Sequence, residues 1–564
     1  MAIDIHDIKS GKKPVLDMRN YRLPKGKRDV IPVIYKPLPG KGEGVDFDIY
    51  DYRMLFNDSA TKKMMRQGDT IGCFYIESPG MRSLLKRLSC DTFEMLTAAS
   101  SVIRPGVAES GMMQEFVARH RDPKRRQYLL PEMEQYLGET YGVMIYQEDV
   151  IKVAHHIAGL SLEEADLLRR AMSGKLRSKD AMLKLTDKFY ESCAERGISK
   201  SITKELWRQI ESFAGYAFCK AHSASFALLS FQVAFLKVHF PAEFMSSVLS
   251  NHGGYYSPAV YIQESKRLGI KVFLPDINLS EYDYKGKGKK IRVGFVAIKN
   301  FSRKSALKIM EEREKDGNFA SLAEFITRTR IGYEECAILI RCGAMDCFKE
   351  TRPTLMRLLD IYFHHRKLLD ESYNDLFADE MFKLEEEIKT DKEYSIEEIC
   401  SIEYETFGYM VSRHPLEFFG EVINRKSIVK AADLHKYDGK TVKMVGWFMT
   451  AKRIKTKSGG IMKFLSLEDL TGTFEAVLFP KVYSEYAELT MSMGPYLLKG
   501  KVDIESGNNI VVEKLAVLSG KSVQTEKQWD SAENKYYGDN EKVYDEEFDL
   551  VNSLDREKLR RAYM

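Results

Sequence analysis

Apolar positions recur every three or four residues over most of this chain and alternate only towards its end. Between Leu137 and Lys175 the pattern predicts two helices. Tyr146, Val150, Val153, Ala154 and Ile157 make one stripe, and Gly159 is placed to stop it in a left-handed conformation. The second helix opens on a capping box, Ser161-x-x-Glu164, and its inner stripe is Ala165, Leu168, Ala171 and Met172. Phe226–Val238 is apolar all round and is closed by Lys237 and His239. It is expected to be too short to span a bilayer and to form a helix buried on every face. Phe74–Ser78 predicts a short strand feeding a helix from Met81, while Met1 to about Asp58 is low in helical periodicity and is expected to be an irregular or partly ordered leader. Arg352 to Glu403 predicts charged helices, with Lys383–Lys389 as an exposed one. From Thr441 to Leu518 the period falls to two, in segments separated by Gly-rich turns, which is the rhythm of a small five-stranded OB barrel. The fold class expected is multidomain, mainly α, followed by that β-barrel. Lys521–Met564 is expected to be a charged tail or docking peptide.

Composition narrows this picture only in part. At 564 residues the chain has room for several domains. Its formal charge is only +4, so any phosphate-binding surface must come from local clustering. Eight cysteines are scattered without a CxxC pair; Cys342 and Cys347 are expected to be buried thiols of a reduced, cytosolic protein rather than zinc ligands. The first residues, MAIDIHDIKSGKKP, have no apolar core of the signal-peptide kind.

Four clusters carry candidate chemistry. Arg169 and Arg170 adjoin the apolar stripe of the capped helix, and neighbouring guanidiniums repel, so an anion across both would explain them. A solvated basic edge would explain them too. Between Arg119 and Arg126 the run RHRDPKRR gathers Arg121, Lys124, Arg125 and Arg126 about Asp122-Pro123, either as a phosphate-neutralising turn or as a solvated loop. Lys220, His222 and Ser223 stand where the apolar helix begins, with Ser223 as its expected cap, and helix N-terminal N–H groups favour anions. His222 equally fits a core histidine. Asp46 and Asp48 are spaced like a strand pair that holds magnesium, although a solvent-facing strand or turn accounts for them better. In the barrel, Lys452, Arg453, Lys455 and Lys457 form an expected basic loop near Trp447, Phe448 and Phe464, as in single-strand binders.

Several long stretches match one family in order. GDTIGCFYIESPGMRSLLKRL at Gly68–Leu88, Arg104-Pro105-Gly106, the Leu137–Lys175 pair of helices and FAGYAFCKAHSASFALLSFQVAFLKVHFPAEFM at Phe213–Met245 resemble the fingers of the bacterial replicative C-family DNA polymerase alpha subunit. LPDINLSEYDY, IRVGFVAIKN and LIRCGAMD resemble its tandem helix-hairpin-helix region, and the similarity runs with gaps from about Gly68 to about Leu518. Cys219 and Ala221 replace the family's Asn and Ser, in the manner of its error-prone branch. The first hairpin has Phe301-Ser302-Arg303-Lys304 where a glycine is usual, so Arg303 and Lys304 would supply charge in place of close backbone approach.

The resemblance implies an irregular leader (1–60), fingers (61–255), paired hairpins (256–350), a helical connector (351–438), the OB barrel (439–520) and a tail (521–564). It implies that Arg169 and Arg170, with Lys220 and His222, bind the incoming dNTP, and that hairpins and barrel bind primer–template DNA. The palm's glycine–serine loop and third aspartate are not visible, so Mg²⁺ is expected to be held by a palm-bearing polymerase chain. A sliding clamp is a further partner the family admits, no membrane partner is expected, and the location implied is cytoplasmic. The leading expectation is a split polymerase part that is inactive alone; the alternative is a palm-less, non-catalytic DNA-binding protein or remnant.

Overall fold

In a computed structural model, residues 47–103, 111–172, 179–211, 219–364, 388–456, 458–505, 507 and 509–518 are described. Arg104-Pro105-Gly106, Asp46, Lys457, most of Lys383–Lys389 and the tail therefore lie outside the described residues. The chain forms two compact units, Met1–Val238 and His239–Met564.

The described part of the first unit is helical: α1 Tyr52–Asn57, α2 Ser59–Gln67, α3 Pro79–Leu88, α4 Phe93–Val102, α5 Met112–Arg121, α6 Met133–Leu137, α7 Gln147–Lys152, α8 Leu162–Met172, α9 Lys179–Glu195, α10 Lys200–Glu211 and α11 Lys220–His239. Tyr52–Asn57, expected to belong to the irregular leader, is instead helix α1, whose N-terminal Asp51 side chain caps the N–H groups of Arg53 and Met54. Nor is Phe74–Ser78 a strand. Local bonds fold it into turns: the Thr70 hydroxyl donates to the Ile76 carbonyl (2.5 Å) and the Gly72 N–H to the Glu77 carboxylate (2.8 Å).

Helix α11 organises the unit's core. It has 20 residues, so it is long enough to cross a bilayer and the expectation that it is too short does not hold. Nor is it buried on every face, since Ala221, Ser225 and Leu229 form an exposed stripe. Its polar side chains are spent inside the unit. Buried Lys237 donates to the Asp69 carbonyl (2.8 Å), Ser230 to the Phe74 carbonyl (3.1 Å) and Gln232 to the Ile49 carbonyl (3.1 Å). The Ser223 hydroxyl pairs with that of Ser101 (2.7 Å), so Ser223 sits inside the first turn rather than capping it. Phe231 and Phe235 add ring contacts to Phe56 (5.1 Å) and Phe47 (5.5 Å), and each buried ring contributes about 2–3 kcal/mol.

The second unit begins with α12 Pro241–Ser250 and α13 Pro258–Arg267, followed by a three-stranded sheet of β1 Lys271–Phe273, β2 Lys285–Lys287 and β3 Lys290–Arg292 in the order β1-β3-β2. Helices α14 Arg303–Asp316, α15 Leu322–Thr329, α16 Tyr333–Arg341, α17 Arg352–His364 and α18 Ile396–Phe407 follow. The C-terminal part is a closed barrel of β4 Thr441–Lys455, β5 Ile461–Glu468, β6 Thr473–Leu478, β7 Tyr496–Asp503 and β8 Asn509–Val517, in the order β4-β5-β6-β8-β7. The β6–β8 pair is parallel and the others antiparallel, which gives the five-stranded OB barrel that the alternation predicts. Phe448 packs on the barrel core and Trp447 on the neighbouring Leu416–Leu497 cluster, so both are packing residues.

A buried ionic joint ties α13 to the barrel. Arg267 Nη1 donates to Glu468 Oε2 at the end of β5 (2.7 Å), and its Nη2 lies 3.1 Å from Glu264. Buried His414 accepts the Leu416 N–H at Nδ1 (3.0 Å), which directs Nε2 at Glu468 Oε1, 3.6 Å away.

All eight cysteines are free; Cys342 is buried and Cys347 partly so. Burial pushes both thiols up to about 12, which disfavours thiolate ligation.

Candidate functional site

The capping box forms as the sequence predicts, with the Glu164 N–H donating to Ser161 Oγ (3.2 Å) and the Ser161 N–H to Glu164 Oε2 (2.9 Å). It fixes the start of α8, and the buried Ala165–Leu168–Met172 stripe sets its rotation. Arg169 is thereby left part-buried and Arg170 mostly exposed. An anion does lie across both guanidiniums, and it comes from the same helix. Asp166 Oδ1 is 2.7 Å from Arg169 Nη2, and its Oδ2 is 2.7 Å from Arg170 Nε. These bonds, that from Arg169 first, hold the Asp166 carboxyl below the usual carboxylate range. The spacing was visible in the sequence, since an acid at i faces bases at i+3 and i+4.

Arg169 is also held from outside its helix: Nη1 donates to Gln147 Oε1 (3.1 Å) at the first position of α7. The next residue, Glu148, accepts the Lys220 N–H with both carboxylate oxygens (3.0 and 2.9 Å). The expected anion position at the start of α11 thus receives a carboxylate. The Lys220 ammonium bonds Glu139 (2.6 Å) and lies 5.4 Å from the centre of the Tyr146 ring. His222 is partly exposed and stacks at a tilt on Phe226, 4.3 Å between ring centres. The Arg169 and Lys220 segments, distant in sequence, are therefore joined at the first turn of α7. Gln147, Glu148 and Glu139 had no local sequence signal, because their partners are 22 or more residues away.

Asp149, the third residue of α7, is buried and accepts the Ile145 and Tyr146 N–H groups (both 3.0 Å). Desolvation raises its carboxyl to about 6, against the lowering effect of those two bonds and of Lys152, 3.5 Å away. With a folded pKa above the unfolded one, the folded state takes up the proton first, so this group lowers stability as pH rises from about 4 to about 6. Asp149→Asn removes that titration. The stability difference, variant minus wild type, should grow by about 3 kcal/mol across this window; urea unfolding at a series of pH values checks it, and parallel curves would contradict the assignment.

The basic turn is ordered and exposed. Asp122 caps it by accepting the Lys124 N–H (3.0 Å), Arg121 donates to the Arg87 carbonyl (2.9 Å) and Arg126 to the Arg119 carbonyl (3.1 Å). Arg126 also lies over the Tyr141 ring at 4.3 Å. Arg125 has only a 4.0 Å approach to Glu115, and the four cations all face solvent. Arg119 is the structural member, bridging the Gln127 and Tyr141 carbonyls (both 2.8 Å).

In the second unit, Ser302 caps α14, and Arg303 and Lys304 are exposed in its first turn. Arg303 rests over the Tyr282 ring at 5.0 Å, and Glu335 accepts the Ser302 N–H (2.8 Å), so a carboxylate already sits at this helix start. In the barrel the basic segment is strand rather than loop. Lys452, Arg453 and Lys455 pair with Phe464, Lys463 and Ile461 of β5, and the turn begins only at Thr456. The pleat sends Lys452 to one face and Arg453 and Lys455 to the other.

Magnesium finds no fitting donor set among the described residues, where no group of three or more His, Cys, Asp or Glu side chains converges. Asp48 lies before a turn, and its Oδ1 accepts the Tyr50 N–H (2.9 Å).

Comparison with known proteins agrees with this architecture. Residues 39–197 match the bacterial DNA polymerase III alpha subunit finger domain, and residues 269–355 match the helix-hairpin-helix motif. The chain is 32% identical over 476 residues to the DNA polymerase III subunit alpha of Aquifex aeolicus, covering 83% of this chain and 39% of that protein. It is 33% identical over 470 residues to the same subunit of Staphylococcus aureus strain Mu50, covering 82% and 43%. The chain thus spans about two fifths of the length of these curated relatives. With the finger domain, the hairpin motif and the OB barrel following one another in order, the chain belongs to the bacterial DNA polymerase III alpha-subunit family.

Proposed function

We propose that this chain works in template-directed DNA synthesis, binding the incoming dNTP through its first unit and primer–template DNA through its second together with the basic turn of the first. The observation that carries this reading is the meeting of Arg169 and Lys220 at Gln147 and Glu148, with Arg169, Gln147 and Glu148 inside the segment that matches the finger domain and Lys220 beyond it. Arg169 and Arg170 would take the triphosphate. Asp166 holds them in place beforehand, and the exposed Arg170 pair costs only about 0–1 kcal/mol to exchange. A phosphate with bidentate, charge-assisted bonds can displace the carboxylate. Lys220 would leave Glu139 in the same way and move its ammonium towards the phosphates.

Arg121, Lys124, Arg125 and Arg126, the hairpin residues Arg303 and Lys304, and the barrel strand with Lys452, Arg453 and Lys455 would neutralise DNA phosphates, each contact adding to the salt sensitivity of binding. The magnesium ions for nucleotidyl transfer would be held by carboxylates of a palm-bearing chain, a sliding clamp would be a further partner, and the location would be the cytoplasm. Assignment to the error-prone branch rests on Cys219, just before α11, and Ala221, exposed in its first turn.

A second reading is a non-catalytic DNA-binding protein. It draws support from the same ion pairs, because Asp166, Glu148 and Glu139 already satisfy the cations they face. Primer extension separates the two. Incorporation only when a palm-bearing chain is added supports the polymerase part. DNA retardation with no synthesis under any pairing supports the binding protein, and synthesis by this chain alone would overturn the external palm.

A further inference from the structure

The three-stranded sheet ahead of α14 carries a row of lysines that none of the assignments above uses. In the β1–β3 register Lys271 faces Lys290, and in the β2–β3 register Lys287 faces the same Lys290. Register partners project from one face, so three ammonium groups line up across the sheet at strand spacings of about 4.8 Å. All three side chains are exposed, as is Lys289 in the turn. Like charges directly opposite one another destabilise a sheet. Two consecutive lysine pairs are therefore a cost unless something anionic covers them.

The rest of the sheet shows that this row is different. Two residues along, the same face carries Phe273, Arg292 and Lys285. That row is compensated: Arg292 lies 5.0 Å over the Phe273 ring and donates to the Leu274 carbonyl (2.9 Å), and Lys285 pairs with Glu281 (2.9 Å). Among the described residues, no acid pairs with Lys271, Lys287 or Lys290. Glu243, the acid at the turn, is bonded to the Gly288 N–H (2.8 Å).

The row is also rigid. On the opposite face Ile291 is fully buried, and a Cβ on Gly286 would stand 2.0 Å from the Ala242 carbonyl oxygen of α12, so β2 lies flush against that helix. Gly288 takes the left-handed turn (φ 62°) that closes the hairpin.

We propose that Lys271, Lys287 and Lys290 form a preorganised clamp for the phosphodiester backbone of DNA, separate from the hairpin turns themselves. The row spans two strand spacings, about 10 Å, and one DNA strand presents a phosphate about every 3.4 Å of axis, so three ammonium groups match about three phosphates. Its place fits the same substrate. Tyr282, which carries the Arg303 guanidinium, precedes Lys285 by three residues, a reach of at most about 11 Å. A duplex held at the first turn of α14 would therefore lie within reach of the sheet. The proposal rests on the reading that the second unit holds DNA.

The test is equilibrium binding of the full chain to a short labelled duplex and to the matching single strand, across a potassium chloride series. The Lys271→Gln/Lys287→Gln/Lys290→Gln variant should lower the slope of log affinity against log salt by about 2–3 on duplex. Its thermal midpoint should equal or exceed that of the wild type, because the like-charge pairs are gone. A charge-matched control, Lys63→Gln/Lys200→Gln/Lys204→Gln, should keep the slope. An unchanged slope in the first variant, or an equal drop in the control, overturns the clamp while leaving DNA binding by the second unit standing. Loss confined to the single strand overturns the duplex assignment. A wild-type chain that binds no DNA removes both this proposal and the reading beneath it.

Discussion

Combined with a palm-bearing chain, the Arg169→Ala/Arg170→Ala variant should lose about 10²- to 10³-fold in kcat/KM for the nucleotide. Its affinity for primer–template DNA should stay nearly unchanged. Both guanidiniums lie on α8, held by Asp166 and, for Arg169, by Gln147, so their removal takes away donors for a highly charged ligand without touching the DNA-facing cations. The capping box and the buried stripe of α8 do not involve them, so the helix should keep its position. Steady-state incorporation and duplex binding, measured on the same preparations, check this. Equal losses in both would mean that the pair serves the unit's folding or DNA contact rather than the triphosphate. Gln147→Ala should give a smaller loss of the same kind, since it frees one guanidinium nitrogen but removes no cation.

The largest stability effect is expected at the ionic joint of the second unit. Glu468→Ala should destabilise it by about 3–5 kcal/mol, because it leaves the part-buried Arg267 without its shortest acceptor and the buried His414 without the acid it faces. Glu468→Gln keeps an acceptor and should cost less. The Arg267→Met/Glu468→Leu pair should recover much of the loss, since an apolar pair of similar volume avoids the desolvation of two charges. Urea unfolding of the full chain measures all three. A loss under about 1 kcal/mol for Glu468→Ala would mean that water enters the joint and screens it.

The sequence was most informative where local rules act alone. Ser161 and Glu164 announced the start of α8, Gly159 took its left-handed conformation, and the alternation after Thr441 described the barrel strands. It was misleading where side chains rewrite the backbone locally. Thr70 and Glu77 bond the main chain of residues 70–76 and turn an apparent strand into a loop. It was silent where partners are remote. Asp166 could have been found from helical spacing, but Glu148 reaches Lys220 across 72 residues, a pairing that no local pattern encodes. The lysine row escaped notice because three-residue strands are too short to show a period, and only their register aligns the charges.

The shared turn of α7 has a mechanical consequence. Gln147 and Glu148 stand on consecutive backbone positions of a six-residue helix that continues into a π-helical turn at Val153–Ile157. While both anchors hold, a tilt of that turn would shift the Arg169 guanidinium and the amide at the head of α11 together. The Arg169 side chain and the Lys220 backbone, though not the Lys220 ammonium held by Glu139, thus share one helical turn as their support.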